Sequence, residues 1–210
     1  TTYVCNAGSN GKFLNVLDLD IQNGKIKDFK FTLLPIFSDL IPENKEMKKY
    51  IEDVRLPFLK ELTREIATTD TTLFRRGNFN GSWDQIICDA LIDVKGAQIS
   101  LSPGFRWGTS VMPNQTITFD DLMTQTAMTY PETYARDIKG SEIKLILEDV
   151  ADNLFNEDPF LQQGGDMVRT GGISYKIDPK AKIGSRITNI VLSKTGEKLD
   201  ANKSYKVAGW

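Results

Sequence analysis

Arg75–Ala90 reads RRGNFNGSWDQIICDA, a polar, glycine-punctuated segment that runs directly into an apolar helical one. The apolar part predicts a helix over 83–94, followed by a short strand over 97–101. Arg75 and Arg76 stand just ahead of the turn. Backbone N–H groups at the start of a helix and a guanidinium pair both favour negative charge. The stretch therefore predicts a turn that can bind an anion.

Further along the chain, helix and strand patterns alternate. Thr118–Asp121 has the form of a capping box with Asp in place of Glu and predicts a helix through Gln125. Ser141 is the predicted N-cap of an amphipathic helix, and strands are predicted at 173–177, 187–192 and 204–208, with a turn at 194–198. The pattern indicates an α+β fold (mixed α/β).

The first third of the chain has a different pattern. Two alternating segments flank Asn23-Gly24, which predicts a hairpin with a type I′ turn, and the alternation slips near Asp28, which indicates a bulge or an edge position. A two-stranded hairpin is marginal alone, so we expect further strands before Thr1. Helical periodicity begins at Pro42, and Pro57 is expected to kink this helix near Arg55-Leu56.

Composition excludes several classes of function. The 210 residues contain no histidine, which rules out a Ser-His-Asp triad or a His-ligated metal within this sequence. The net charge of −2 gives no global basic field for nucleic acid, and no apolar run is long enough to span a membrane. Cys5 and Cys88 are far apart and are expected to be buried thiols, a disulfide being the less favoured alternative.

Together with Ser102-Pro103-Gly104-Phe105-Arg106-Trp107-Gly108, the Arg75–Ala90 stretch resembles the C-terminal domain of the 5′-nucleotidase family. Within that family the likeness is nearest to the SoxB-type thiosulfohydrolases of bacterial sulfur oxidation. Such proteins join a metal-bearing, metallophosphoesterase-like domain to a substrate-holding domain. The resemblance implies that residues 1–41 end the first domain, 42–67 form a linker helix, and 68–210 form the substrate domain, truncated at its C-terminus.

The resemblance also implies which residues bind substrate. Arg106 corresponds to the arginine that ends the nucleotidase Gly-Ile-Arg motif, whereas the asparagine that helps to read a nucleotide is missing here. Arg75 or Arg76, with Asn78 in the same turn, is expected to contact a sulfonate, sulfate or phosphate oxygen, although a solvated surface pair is an equal alternative. Trp107 matches the sulfur-oxidation branch.

Aromatic and flexible segments complete the predicted site. Tyr130 and Trp210 align loosely with the two rings that hold the base in nucleotidases, and packing in the core is an equal alternative for both. Gly165 and Asp166 lie in a glycine-dense loop over 162–172, where backbone can approach a ligand closely. By contrast, Asp120-Asp121 is interpreted as a helix cap, and Glu148-Asp149 as part of a solvated helix face.

For the intact protein the resemblance implies a periplasmic hydrolase with two manganese ions. It would release sulfate from a cysteine-S-thiosulfonate on the C-terminal arm of a sulfur-carrier protein, with no nucleic acid or membrane as partner. No catalytic residue and no metal are expected in this sequence itself, so alone it should be inactive. Two alternatives stay open, namely the substrate domain of a 5′-nucleotidase or cyclic phosphodiesterase and a non-catalytic module that binds the carrier peptide.

Overall fold

The computed structural model describes residues 2–8, 11–104, 108–126 and 132–210. The chain divides into two compact units, residues 1–60 and 61–210. Among the described residues, no helix is both long and apolar enough to cross a membrane.

The first unit contains a long hairpin and a broken helix. Strands β1 (Phe13–Gln22) and β2 (Lys25–Pro35) pair antiparallel, and both Asn23 (φ 52°) and Gly24 (φ 70°) have the positive φ that a type I′ turn requires. The register shifts between Asp20 and Ile21, which confirms the predicted bulge. Helix α1 (Lys45–Arg55) gives way to a 3₁₀ turn at Leu56–Phe58, and the short helix α2 (Leu59–Leu62) follows, running past the end of this unit at residue 60. The break lies where Pro57 removes a helix donor.

The second unit is built around a four-stranded sheet. The remaining elements are β3 (Glu65–Thr68), α3 (Ser82–Lys95), β4 (Ile99–Ser102), β5 (Thr116–Thr118), α4 (Phe119–Thr126), β6 (Tyr134–Lys139), α5 (Gly140–Phe155), β7 (Arg169–Gly171), β8 (Ile173–Ile177), β9 (Ile187–Leu192) and β10 (Ser204–Gly209). The sheet order is β6-β10-β4-β7, with β4 and β10 parallel and the other neighbours antiparallel. Two antiparallel pairs, β3-β5 and β8-β9, lie outside it. This arrangement confirms the predicted mixture of helices and strands.

Helix α5 supplies one side of the main core. Its apolar stripe faces this core, with Ile143, Leu147 and Ala151 fully inaccessible and the remaining stripe residues partly buried, and it packs with β4, β10 and the β8-β9 hairpin. The predicted cap is wrong by two residues: the helix begins at Gly140, and the N–H of Lys139 donates to Glu142 Oε2 (3.1 Å). The N–H groups of Gly140 and Ser141 donate to the carbonyl oxygens of Lys203 (3.0 Å) and Ala201 (3.0 Å), so backbone contacts with a distant loop, rather than a Ser141 cap, fix the start of the helix. Residue 140 is glycine because a side chain there would collide with the carbonyl oxygen of Asp200.

The interpretation of Glu148 as a solvated residue is also wrong. Its side chain is buried and accepts the backbone N–H groups of Gly184 (2.9 Å), Arg186 (3.2 Å) and Ile187 (2.7 Å). Asp149, its neighbour, is exposed as expected. The carboxylate of Glu148 therefore fastens the loop before β9 to helix α5.

The two cysteines differ in exposure. Cys88 is completely buried in α3, whereas Cys5 is exposed, so the expectation of two buried thiols holds only for Cys88. Burial raises the pKa of the Cys88 thiol to about 11.

We expect a native thiol titration of this chain at pH 8 to show one fast-reacting group. Cys5 lies in solvent, whereas Cys88 is inaccessible and, with its raised pKa, is only roughly 0.1% thiolate at that pH. Ellman's reagent should modify Cys88 only after denaturant is added. Rapid reaction of two thiols in the native chain would show that α3 does not bury Cys88.

Candidate functional site

The candidate site lies at one edge of the four-stranded sheet. Because β4 and β10 are parallel, their carboxyl ends, Ser102 and Gly209, lie at the same edge, and the antiparallel strand β7 begins there at Arg169. The loop that leads into α3 also reaches this edge, because Arg75 Nη2 contacts the carbonyl oxygen of Pro103 (3.2 Å). Crevices outside the carboxyl ends of parallel strands are common ligand sites in α/β sheets.

A buried network of four charged side chains underlies this edge. Asp84, on the first turn of α3, contacts Arg75 Nε through Oδ1 (2.7 Å) and Arg169 Nε through Oδ2 (3.1 Å). Arg169 also pairs with Asp166 (3.3 Å), and all four side chains are at most 2% exposed. Two carboxylates match two guanidinium groups, so the network buries no net charge, which limits the desolvation cost.

The same network holds two loops together. Arg169 Nη2 donates to the carbonyl oxygens of Gly77 (2.6 Å) and Arg75 (3.2 Å), which belong to the loop before α3. The side chain of Asn80 pairs with the backbone of Thr170, donating to its carbonyl (2.8 Å) and accepting its N–H (3.1 Å). The segment 75–81 is thereby fixed against the segment 166–170. Any ligand group that contacts both segments would meet a prearranged surface.

Two glycines allow the backbone to pack this closely. A Cβ atom at Gly81 would lie 2.1 Å from the carbonyl oxygen of Phe74, and one at Gly104 would lie 2.5 Å from Cβ of Asp166. Neither contact is possible for a larger residue without moving backbone or the buried carboxylate. Gly104 therefore packs directly against the Asp166 loop.

The start of α3 is occupied by protein acceptors. The N–H of Gly81 donates to Asp84 Oδ2 (2.9 Å), and the N–H of Trp83 donates to the carbonyl oxygen of Phe74 (3.1 Å). Asp84 itself places a negative charge at the positive end of the helix dipole. The sequence predicts that this helix terminus helps to bind an anion. The contacts do not support that part of the prediction, because protein groups accept these N–H donors.

The structure separates the two predicted arginines. Arg75 is 2% exposed, and beyond Asp84 it donates to the carbonyl oxygens of Gln125 (2.7 Å) and Pro103 (3.2 Å). Arg76 and Asn78 are exposed on the same loop, and the carbonyl oxygen of Asn78 accepts the N–H of Met167 (3.0 Å). This placement favours Arg76 over Arg75 for contact with an anion. Arg75 instead stabilises the loop through its buried hydrogen bonds.

The other predicted site residues divide into two groups. Arg106, Trp107 and Tyr130 lie outside the described residues, so their assignment stays a prediction. Gly165 is exposed and has a φ of 94°, whereas the Asp166 side chain is directed into the buried network. The backbone of this loop, rather than the Asp166 carboxylate, is what a ligand can reach.

Trp210 follows β10 at the same edge. Its indole Nε1 donates to Ser102 Oγ (2.8 Å), and its ring centre lies 5.9 Å from the Arg75 guanidinium carbon. The half-buried ring also lines a largely apolar cavity of about 320 Å³, together with Trp83, Ile86, Ile87, Ala90, Leu91, Val94, Lys95, Leu122, Thr126 and Thr133. The hydrogen bond to Ser102 gives Trp210 a packing role that does not depend on a ligand.

Two central residues of the network, Asp84 and Arg169, were not singled out by sequence reasoning. One signal existed for Asp84: it shares a helix stripe with the buried Cys88 and Leu91, and an acidic residue at such a position needs a buried partner. No local pattern distinguishes Arg169. Apart from the nearby Asp166, its partners in the network are distant along the chain: Asp84 and Arg75 are 85 and 94 residues away.

The described residues do not fit a metal ion. They contain no group of three or more His, Cys, Asp or Glu side chains that is placed to bind one. The carboxylates at the site edge, Asp84 and Asp166, are already paired with arginines. Accordingly, no chemical step at this edge is assigned to a metal ligand from this chain.

Comparisons with known proteins agree with this architecture. The family model for the 5′-nucleotidase C-terminal domain matches residues 63–210. Among solved structures, the sulfate thiohydrolase SoxB of Thermus thermophilus, in complex with glycerol, is 34% identical with a TM-score of 0.89, over 95% of this chain and 36% of that protein. No curated protein matches the chain.

More distant structures share the fold. A 5′-nucleotidase precursor, also from Thermus thermophilus, is 21% identical with a TM-score of 0.77, over 95% of this chain and 40% of its own. The NAD nucleotidase of Haemophilus influenzae is 14% identical with a TM-score of 0.59, over 94% of this chain and 43% of its own. The chain thus spans 36–43% of the length of these three proteins.

Proposed function

Because this chain belongs to the 5′-nucleotidase C-terminal domain family, we propose that it holds the substrate in a sulfate-releasing hydrolase. The substrate would be a cysteine-S-thiosulfonate on a sulfur-carrier protein. The observation that carries this proposal is the likeness to SoxB, at 34% identity over 95% of the chain. Identity to the 5′-nucleotidase precursor is only 21% over the same share of the chain.

The described geometry suits a terminal sulfonate group. Arg76 and Asn78 are exposed on a loop whose backbone is fixed by Arg169 and Asn80. A guanidinium group binds sulfonate oxygens in pairs, and a fixed loop loses little entropy when the anion arrives. Arg106 would complete this anion clamp from the neighbouring segment. The buried network beneath is neutral and would add no competing net charge.

The proposed division of labour places catalysis elsewhere in the parent protein. Two manganese ions would be held by residues outside this chain, in a metallophosphoesterase-like domain, and the parent would act in the periplasm. The role of this chain is to bind the anion, orient the carrier's extended arm and keep both in place. Alone it should release no sulfate.

The discriminating experiment uses the full-length parent with manganese supplied. Sulfate release from a carrier cysteine-S-thiosulfonate is measured beside phosphate release from AMP. Sulfate release with little AMP hydrolysis supports the proposal. AMP hydrolysis without sulfate release would assign the chain to a nucleotidase, and carrier binding without either reaction would make it a binding module.

Arg106→Ala in the parent should lower turnover by roughly 10²-fold, because removing a donor aimed at the reacting anion typically costs that much. Manganese content, measured by mass spectrometry, should stay unchanged. Arg136→Ala, which removes an arginine from strand β6 that stacks on Tyr134, serves as the matched control and should retain activity. Equal turnover in Arg106→Ala and the native enzyme would remove Arg106 from the site.

A further inference from the structure

The loop between α5 and β7 presents two adjacent apolar side chains to solvent. Phe160 is 94% exposed and Leu161 is 55% exposed. Among the large apolar side chains that the structure describes, Phe160 is the most exposed. Isolated apolar side chains are ordinary on a surface, whereas an almost fully hydrated aromatic ring beside a second apolar residue is the composition of an interface anchor.

Hydrogen bonds fix the loop that carries these side chains. The N–H of Asp158 donates to Asn156 Oδ1 (2.9 Å), and the N–H of Phe160 donates to Asp158 Oδ1 (2.9 Å). Asn156 is in turn tied to α5 through Asp152 Oδ2 (2.9 Å), and its carbonyl accepts from Gln162 Nε2 (2.7 Å). The ordered backbone therefore keeps the Phe160 ring exposed to solvent. An anchor that is already ordered loses little conformational entropy on binding.

The loop leads directly into the candidate site. The N–H of Gly164 donates to the carbonyl oxygen of Asn153 (3.3 Å), and two residues later Asp166 joins the buried network. Asp166 is the sixth residue after Phe160, so their Cα atoms are at most about 20 Å apart. Phe160 therefore lies within reach of a macromolecule whose modified arm enters the site.

The acidic residues next to Phe160 and Leu161 in the chain restrict the partner. Residues 156–162 include Glu157 and Asp158 and no basic residue. A complementary surface would combine an apolar hollow with a basic border, since paired opposite charges set orientation and exclude wrong partners.

We propose that Phe160 and Leu161, here called the apolar tip, form the contact for the folded body of the carrier protein. This inference rests on the proposed function, because it assumes a substrate borne on a protein. The carrier would offer an apolar hollow bordered by Lys or Arg. Contact at the tip would raise affinity for the carrier, while the bound anion would be recognised separately at the sheet edge.

The test compares two substrates in the full-length parent. One is the carrier loaded with cysteine-S-thiosulfonate, and the other is a short peptide with the same modified cysteine. The double variant Phe160→Ser/Leu161→Ser should raise KM for the loaded carrier at least ten-fold, with kcat unchanged and with peptide turnover unchanged. Ile183→Ser is the matched control, because Ile183 is 58% exposed in the separate loop before β9, and it should alter neither substrate.

Other results would overturn the inference. An unchanged KM for the carrier would show that the tip makes no contact with it. An equal rise in KM for the peptide, or a lower melting temperature of the double variant, would show that the tip packs against another part of the parent. If the native parent releases no sulfate from either substrate, the proposed function fails. The apolar tip is then tested by titrating the loaded carrier into the native and double-variant proteins and comparing their affinities. Equal affinity, or no binding to either protein, overturns the inference.

Discussion

Asp84→Asn should lower the free energy of unfolding of the second unit by about 3–5 kcal/mol, because it leaves two buried guanidinium groups with a single carboxylate. Asp84 is completely buried between Arg75 (2.7 Å) and Arg169 (3.1 Å). Urea denaturation followed by tryptophan fluorescence measures this loss. All three tryptophans of the chain lie beyond residue 60, so the signal reports on this unit alone.

The matched control is Asp93→Asn, the same change on the same helix. Asp93 is exposed, and its effect should stay within about 0.5 kcal/mol, as for ordinary surface substitutions. Equal stability of Asp84→Asn and Asp93→Asn would contradict the buried network. In the parent enzyme, Asp84→Asn should also weaken substrate binding, since the loops that carry Arg76 and Gly165 lose a shared support.

Glu148→Gln is the second change with a large expected effect, a loss of about 2–3 kcal/mol in the free energy of unfolding. Both carboxylate oxygens accept backbone N–H groups, Oε2 from Gly184 and Arg186, and Oε1 from Ile187. An amide keeps one acceptor and turns its NH₂ group toward buried donors. Urea denaturation again provides the measurement.

Asp149→Asn provides the comparison at the next position of α5. The sequence alone groups Glu148 and Asp149 as one solvated pair, but only Glu148 is buried. Asp149→Asn should therefore leave stability nearly unchanged. If both variants were equally stable, the loop over 184–187 would not depend on Glu148.

Local elements could be predicted where the cause is local. The hairpin at Asn23-Gly24 depends on two residues that accept positive φ, and the helix break at Pro57 depends on a missing donor. The Thr118 cap forms as the pattern indicates, since Thr118 and Asp121 exchange hydrogen bonds between side chain and backbone. The start of α5 cannot be predicted in this way, because backbone contacts of Gly140 with Lys203 and of Ser141 with Ala201, at least 60 residues away, decide it.

Prediction of the candidate site from sequence is limited in the same way, by contacts between residues distant in the chain. The family resemblance predicts substrate binding on the segments around Arg75 or Arg76, Arg106 and Gly165. It could not tell the exposed Arg76 from the buried Arg75, since adjacent residues of one type differ only in the direction of the side chain. That direction follows from Asp84, Gln125 and Pro103, which meet Arg75 only in the folded chain.

The sequence by itself determined the family, the order of most helices and strands, and the absence of histidine chemistry, because motifs, periodicity and composition are properties of neighbouring residues. The tertiary structure alone decided which charges are buried. Asp84, Arg169 and Glu148 each have partners from at least 36 residues away, as the contacts of Glu148 with Gly184 show. A buried charge is tolerated only where such distant partners converge on it, so no local pattern can reveal it.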